Sequence, residues 1–340
     1  MKNLIRRWFG SGSAQSKMAG SIPASIAEFD GKALDIAVAA TWHERIPHPE
    51  WREVQAWVES FEEESRAAAL LACTRAWLGM LAQTLGPGYR VFESGAALVL
   101  SERPDNEARA MLDFVENSRR RVRRVLEDLA SEEVAKEVLL SFSDRETYSR
   151  YAARYCPDID ETMVSAGMFL HADRSHFIVH GDELWRMEPT IVHELTHAQL
   201  AHLDLPLWVN EGIAVNTEQR LTRLGADAFD VKALEEKHAA FWTIENIQRF
   251  WDGRAFKQDG DESELAYDLA RLLINGACQD WSAFKRFASA ASADDSGAQA
   301  AAQFLDVDLG EAVRHFLDAP SGDWGPRPDV WPEAVVVEPE

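Results

Sequence analysis

The chain has 340 residues, enough for one large or two ordinary domains and for a core that can bury an active site. A hydrophobic share of 46%, with 12 Trp and 16 Phe, excludes a disordered or low-complexity chain. Against 57 Asp and Glu stand 35 Lys and Arg, a formal charge of −22, and such a field repels phosphate backbones and argues against nucleic acid as a partner.

Residues 1–22 read as a flexible basic tail. Leu4, Ile5, Trp8 and Phe9 share one face of a short helix with Lys2, Arg6 and Arg7 opposite, a pattern that would touch an anionic membrane surface at most weakly. Two arginines interrupt its apolar residues, so it lacks the apolar core of a secretion signal. Residues 10–22 are rich in Gly, Ser and Ala, the composition of a connector. From residue 23 to 86 the pattern predicts a helical segment, clearest over Phe61 to Leu85 and stopped by Gly86-Pro87-Gly88. No apolar run reaches the roughly 18 residues that span a bilayer, so integral membrane association is not expected.

Tyr89 to Ser101 changes period and predicts one bent strand or a hairpin. Asp105 to Ala130 predicts a long helix opened by Pro104. Short strands are expected at Val138 to Phe142, Ala166 to Leu170 and Phe177 to Val179, with a helix over Arg145 to Tyr155. From Glu188 onward nearly every segment reads as helix. A mixed half followed by a helical half argues for an α+β fold. Residues 320–340 hold five prolines and predict an extended tail. Cys73, Cys156 and Cys278 are scattered and odd in number, which suggests neither a disulfide framework nor a Cys-x-x-Cys site and fits a reducing cytoplasm.

The informative stretch is Ile191-Val192-His193-Glu194-Leu195-Thr196-His197. Residues four apart lie on one helical face, so the imidazoles of His193 and His197 can close on one Zn²⁺. Glu194 lies about 100° round the helix, placed to act as general base on a water at the metal. Pro189 suits the first turn and Pro206 the stop. A catalytic zinc needs a third protein ligand. Glu211, in a second helix 14 residues after His197, is the candidate; the competing reading makes it a helix-start acid favoured by the macrodipole.

His193-Glu194-Leu195-Thr196-His197 followed by Pro206-Leu207-Trp208-Val209-Asn210-Glu211-Gly212 resembles the gluzincin zinc metallopeptidases, most nearly the peptidase MA-like family. The resemblance covers about Tyr89 to Phe316 and sets a peptidase-like domain at 87–319, with a small mixed sheet, a zinc helix and a helical C-terminal half. It implies Zn²⁺ on His193, His197 and Glu211. It further implies an edge strand that pairs with peptide substrate, matched by Ser175 to His180, and a downstream oxyanion donor, for which Tyr267 is the candidate; an aromatic there can equally be core.

This sequence departs from the pattern in two places. Ala166-Gly167-Met168-Phe169 lacks the acid with which related aminopeptidases hold a substrate amine, and Val215 stands where some gluzincins place an acid behind a zinc histidine. Orientation of the imidazoles then falls to Asn216, Glu218 or a main-chain carbonyl. His202 does not complete a three-histidine pattern, and His171, His176 and His180 read as core or solvated. The run Arg119 to Arg124 reads as a salt-bridging helix face. The expected function is hydrolysis of peptide bonds in a peptide or protein substrate in the cytoplasm; the alternative is a zinc-binding peptidase-like scaffold that regulates or binds without turnover.

Overall fold

A computed structural model of the chain describes residues 25–131, 135–155, 167–170, 174–180, 184–222, 231–258 and 260–332. The basic tail, its connector, Cys156, His171 and the last eight residues lie outside the described residues. The chain divides into two compact units, Met1–Glu116 with Ala135–Leu184, and Asn117–Val134 with Trp185–Glu340.

In the first unit the expectation of an all-helical start from residue 23 fails over residues 26–48. Ile26–Phe29 (β1) pairs antiparallel with Lys32–Asp35 (β2), and Thr41–His43 (β3) with Ile46–His48 (β4). The turns explain both hairpins. Asp30 and Gly31 have φ of 45° and 74°, and Glu44 and Arg45 have φ of 46° and 68°, the consecutive left-handed pair that a two-residue hairpin loop requires. Strands of three or four residues are too short to show a period of two.

Two helices follow, Trp51–Glu59 (α1) and Glu63–Leu85 (α2). Glu50 caps α1 by accepting from the Arg52 amide. Among the described residues α2 alone is long and apolar enough to cross a membrane. Within the fold it is a core helix, with Trp77, Leu78 and Leu81 in one cluster with Leu98, Leu100, Val138, Leu140 and Ile178 of the sheet. Arg75 of α2 pairs with Glu93, which also binds Lys136.

That sheet has five strands in the order β5-β6-β7-β9-β8. Arg90–Glu93 (β5) and Ala97–Ser101 (β6) form the expected hairpin, Glu137–Phe142 (β7) runs parallel to β6, and His176–His180 (β9) runs parallel to β7. Gly167–Leu170 (β8) closes the edge antiparallel to β9. The helix Asp105–Leu126 (α3) and the helix Arg145–Ala152 (α4), capped by Asp144, occupy the crossovers.

Two expectations are corrected here. Ser175 to His180 is not an edge strand, because β9 is paired on both sides; its residues His176 to Val179 are all buried, as an interior strand covered on both faces must be. The sheet also groups with the N-terminal helices instead of with the helices after residue 185, because the apolar face of α2 is what covers it.

The second unit is helical. Glu188–Leu200 (α5), Leu207–Leu221 (α6), Val231–Phe241 (α7), Gln248–Trp251 (α8) and Asp261–Ala277 (α9) precede Trp281–Ala290 (α10), Ala298–Phe304 (α11) and Leu309–Phe316 (α12). The expected extended tail is in part docked. Trp324 is buried, its indole donating to the Pro320 carbonyl. Gln248 donates to the Gly325 carbonyl and accepts from the Arg327 amide. Proline keeps this segment from forming a long helix, and its tryptophan and backbone groups find partners instead.

The arginine run reads as intramolecular bracing. Arg121 of α3 pairs with Glu188 at the start of α5, at 2.5 Å, and also donates to the Leu221 carbonyl at the end of α6. Arg123 donates to the Ser131 carbonyl at 2.5 Å and to the Gln199 side chain at 3.2 Å. A cation at a helix C-terminus satisfies carbonyls that have no partner within the helix.

Candidate metal centre

Helix α5 starts with Glu188 and Pro189 and buries Ile191, Val192, Leu195, Thr196, Gln199 and Leu200. That stripe fixes its rotation and leaves His193, Glu194 and His197 half-buried on the other side. Helix α6 begins after Pro206, and Trp208 anchors its first turn; the indole is 1% exposed and donates to the Ser296 carbonyl at 3.0 Å.

Gly212 sets how α6 meets α9. A Cβ there would stand 2.6 Å from the Ala270 carbonyl oxygen and 2.6 Å from Ile274, so only glycine permits this approach. The Asn216 amide closes the same seam by donating to the Gly212 carbonyl at 2.8 Å and to the Arg271 carbonyl at 2.9 Å.

With α5 and α6 so placed, three ligand atoms converge. His193 Nε2 lies 3.2 Å and His197 Nε2 3.3 Å from Glu211 Oε2. One ligand atom from each of the three residues can be chosen so that all three lie within 4.8 Å of one another. His193 Nδ1 lies 3.2 Å from Glu218 Oε2, and His197 Nδ1 3.0 Å from Asn210 Oδ1.

Both outer partners offer an oxygen to Nδ1, so in the neutral tautomer that donates the Nδ1 proton outward each ring turns an Nε2 lone pair inward. In that tautomer both Nε2 lone pairs face one carboxylate oxygen at 3.2 and 3.3 Å, an arrangement that a cation between them would stabilise. A tetrahedral ion held at about 2.0–2.2 Å by nitrogen and oxygen keeps its ligand atoms about 3.3–3.6 Å apart, close to the spacing found here. The donor set therefore fits a divalent metal ion, and His193, His197 and Glu211 could hold one.

Protonation answers the same demand. Burial disfavours the His193 imidazolium, but hydrogen bonds to Glu211 and Glu218 outweigh it and raise its pKa to about 9. Burial likewise penalises the Glu211 carboxylate, yet the two histidines hold its pKa down at about 2.

Glu194 follows His193 on α5, and its charge acts on both His193 and Tyr267. Tyr267, on α9, has its ring centroid 6.4 Å from that of His193 and packs edge-on against Phe256. Burial raises the phenol pKa, and the charges of Glu211 and Glu194 raise it further, so Tyr267 keeps its proton and can donate it as a hydrogen bond. Among the described residues its hydroxyl has no hydrogen-bond partner.

Of the other histidines, His202 is exposed, His176 is buried with Nε2 2.8 Å from the Tyr151 hydroxyl, and His180 packs on the Tyr148 ring. Of the three groups considered for orienting the imidazoles, Glu218 takes His193. Asn216 serves the α6–α9 seam instead. The role of Asn210 escaped the sequence reading; its position directly before Glu211, one residue behind a ligand on a helix, was the available signal.

Compared with models of known protein families the chain matches none, and no curated protein matches it in sequence.

Proposed function

We propose that this protein is a zinc-dependent peptidase of gluzincin type, with Zn²⁺ held by His193, His197 and Glu211 and with Glu194 as general base. The observation that carries the reading is the convergence of two Nε2 atoms on Glu211 Oε2 at 3.2 and 3.3 Å, next to an acid that is not among the three candidate ligands. When bound, zinc supplies a water of lowered pKa and polarises the scissile carbonyl.

Glu194 accepts the proton of the attacking water and hands it to the leaving nitrogen, a role worth roughly 10² to 10⁴ in rate. Tyr267 donates its phenolic proton as a hydrogen bond to the oxygen on which charge builds. Glu218 and Asn210 hold the imidazoles in the tautomer that keeps Nε2 free.

The test is Glu194→Gln, assayed for zinc content and for cleavage of a mixed peptide library. Zinc is expected at one per chain in both proteins, with cleavage lost in the variant. Full cleavage by the variant rejects Glu194 as the base, and wild-type protein that binds no zinc rejects the metal centre.

A further inference from the structure

The second unit contains a cleft that the metal chemistry does not use. It has a volume of about 540 Å³ and is walled by α6, α9, α10 and the end of α3. On α6 it takes Ile213, Asn216, Thr217 and Arg220, a stripe of spacing three, four and seven. Glu211 and Glu218 lie seven apart on the same helix, roughly 100–180° round from that stripe at 100° per residue, so the cleft and the candidate metal centre use different faces of α6.

The floor is apolar. Leu126, Ile213, Ile274 and Phe284 line it and are all buried residues. The rim is polar, with exposed Asn275 and Arg220. A volume between roughly 300 and 1,000 Å³, mostly apolar lining and a few convergent polar groups are the properties of small-molecule sites.

Arg220 chooses the ligand's charge. Arg271, also on the rim, is engaged with Asp268 through Nε and Nη2, and Arg121 is paired with Glu188. Among the described residues Arg220 has neither an ion pair nor a hydrogen bond. In a chain of charge −22, a cation left without an acid beside an apolar floor favours an anionic headgroup on an apolar body. A single unengaged guanidinium matches one carboxylate. A protein partner would need about 800 Å² of surface from each side, far more than this cleft offers.

We propose that this cleft is a second binding site, for a small amphiphilic carboxylate, with its hydrocarbon body on Leu126, Ile213, Ile274 and Phe284 and its carboxylate on Arg220. The site stands independently of the peptidase reading. Cys278 lines it as well and supplies a reporter. Burial pushes its thiol pKa up to about 12, against the pull of Arg220, so alkylation will be slow and sensitive to occupancy.

The experiment titrates decanoate, below its micellar concentration, into the full chain by calorimetry, with and without zinc. Cys278 alkylation is followed in parallel by peptide mass mapping. Saturable one-to-one binding is expected, unchanged by zinc, with Cys278 protected. Arg220→Glu is expected to weaken binding roughly tenfold or more, as loss of a charged hydrogen bond does, and decanol to bind correspondingly worse than decanoate. Asn275→Trp, which places a large ring at the exposed rim of the cleft, is expected to abolish binding while circular dichroism stays unchanged. Should that variant misfold, Arg220→Glu and the decanol comparison decide alone. No saturable binding, equal binding by Arg220→Glu and wild type, or an unprotected Cys278 at saturation would each overturn the proposal.

Discussion

Replacing Gly212 by alanine separates two opposed effects. In an isolated helix the change is favourable by about 1 kcal/mol, since glycine is a poor helix former. Here the new methyl group would stand 2.6 Å from the Ala270 carbonyl oxygen and 2.6 Å from Ile274. The obstacle includes backbone, which cannot rotate aside as a side chain can, so α6 and α9 must move apart. Overpacking of this kind costs about 1–3 kcal/mol, and a backbone obstacle places it near the upper end. After the propensity gain is subtracted, a net loss of about 2 kcal/mol remains.

Because Glu211 immediately precedes the glycine and Tyr267 lies one turn before Ala270, zinc affinity should fall with stability. Urea unfolding of Gly212→Ala against wild type, followed by helical circular dichroism, measures the first; a competitive zinc titration measures the second. A variant as stable as wild type, or more stable, would show that propensity outweighs packing at this contact and that the close approach of α6 to α9 is not required.

Glu218→Gln and Asn210→Leu should each lower zinc affinity about 10- to 100-fold with the three ligands intact, as loss of a histidine's outer partner does; zinc affinities within twofold of wild type would reject the orienting role. His176 is buried, and burial foremost lowers its pKa to about 4 from an ordinary 6.5, the charge of Arg174 adding to this and the Arg174 carbonyl opposing it. The neutral ring is thus preferred in the folded state, so its contribution is complete above pH 6.5 and is lost as pH falls from 6.5 towards 4, by up to about 3 kcal/mol. Denaturant melts across that range should show the decline, and His176→Asn should flatten it; an identical decline in the variant would remove His176 as a cause. Arg45 holds φ of 68°, and Arg45→Gly should raise stability by about 0.5–1 kcal/mol, the relief of a left-handed residue less the entropy of glycine; a lower melting temperature would reject that account.

The long elements were legible because burial writes itself as a period. Val115, Val122 and Leu126 marked α3, and Leu139 with Phe177 marked neighbouring strands that prove to be paired in register. His193, His197 and Glu211 were legible because the residue types and helical spacing that a metal site would require are local features of the sequence. The hairpins of residues 26–48 were missed because their apolar positions are few and their strands short, although Asp30-Gly31 carried the turn signal. Pairing partners are not written in a strand's own sequence, so nothing in Ser175 to His180 itself distinguishes an edge strand from the interior strand it forms. Asn210 and Glu218 depend on where a second helix crosses the first, a tertiary fact set by Gly212 and Trp208.

The braces from Arg121 and Arg123 have a consequence for how the polypeptide is put together. The second unit is nested: its first strip, ending near residue 134, is synthesised long before its remainder, with fifty intervening residues of the other unit threaded between. On the ribosome, both arginines must therefore wait for Glu188 and Gln199 to emerge. A gene fragment starting at Trp185 would encode His193, His197 and Glu211 and yet omit the two guanidinium groups that steady the histidine-bearing helix at its ends.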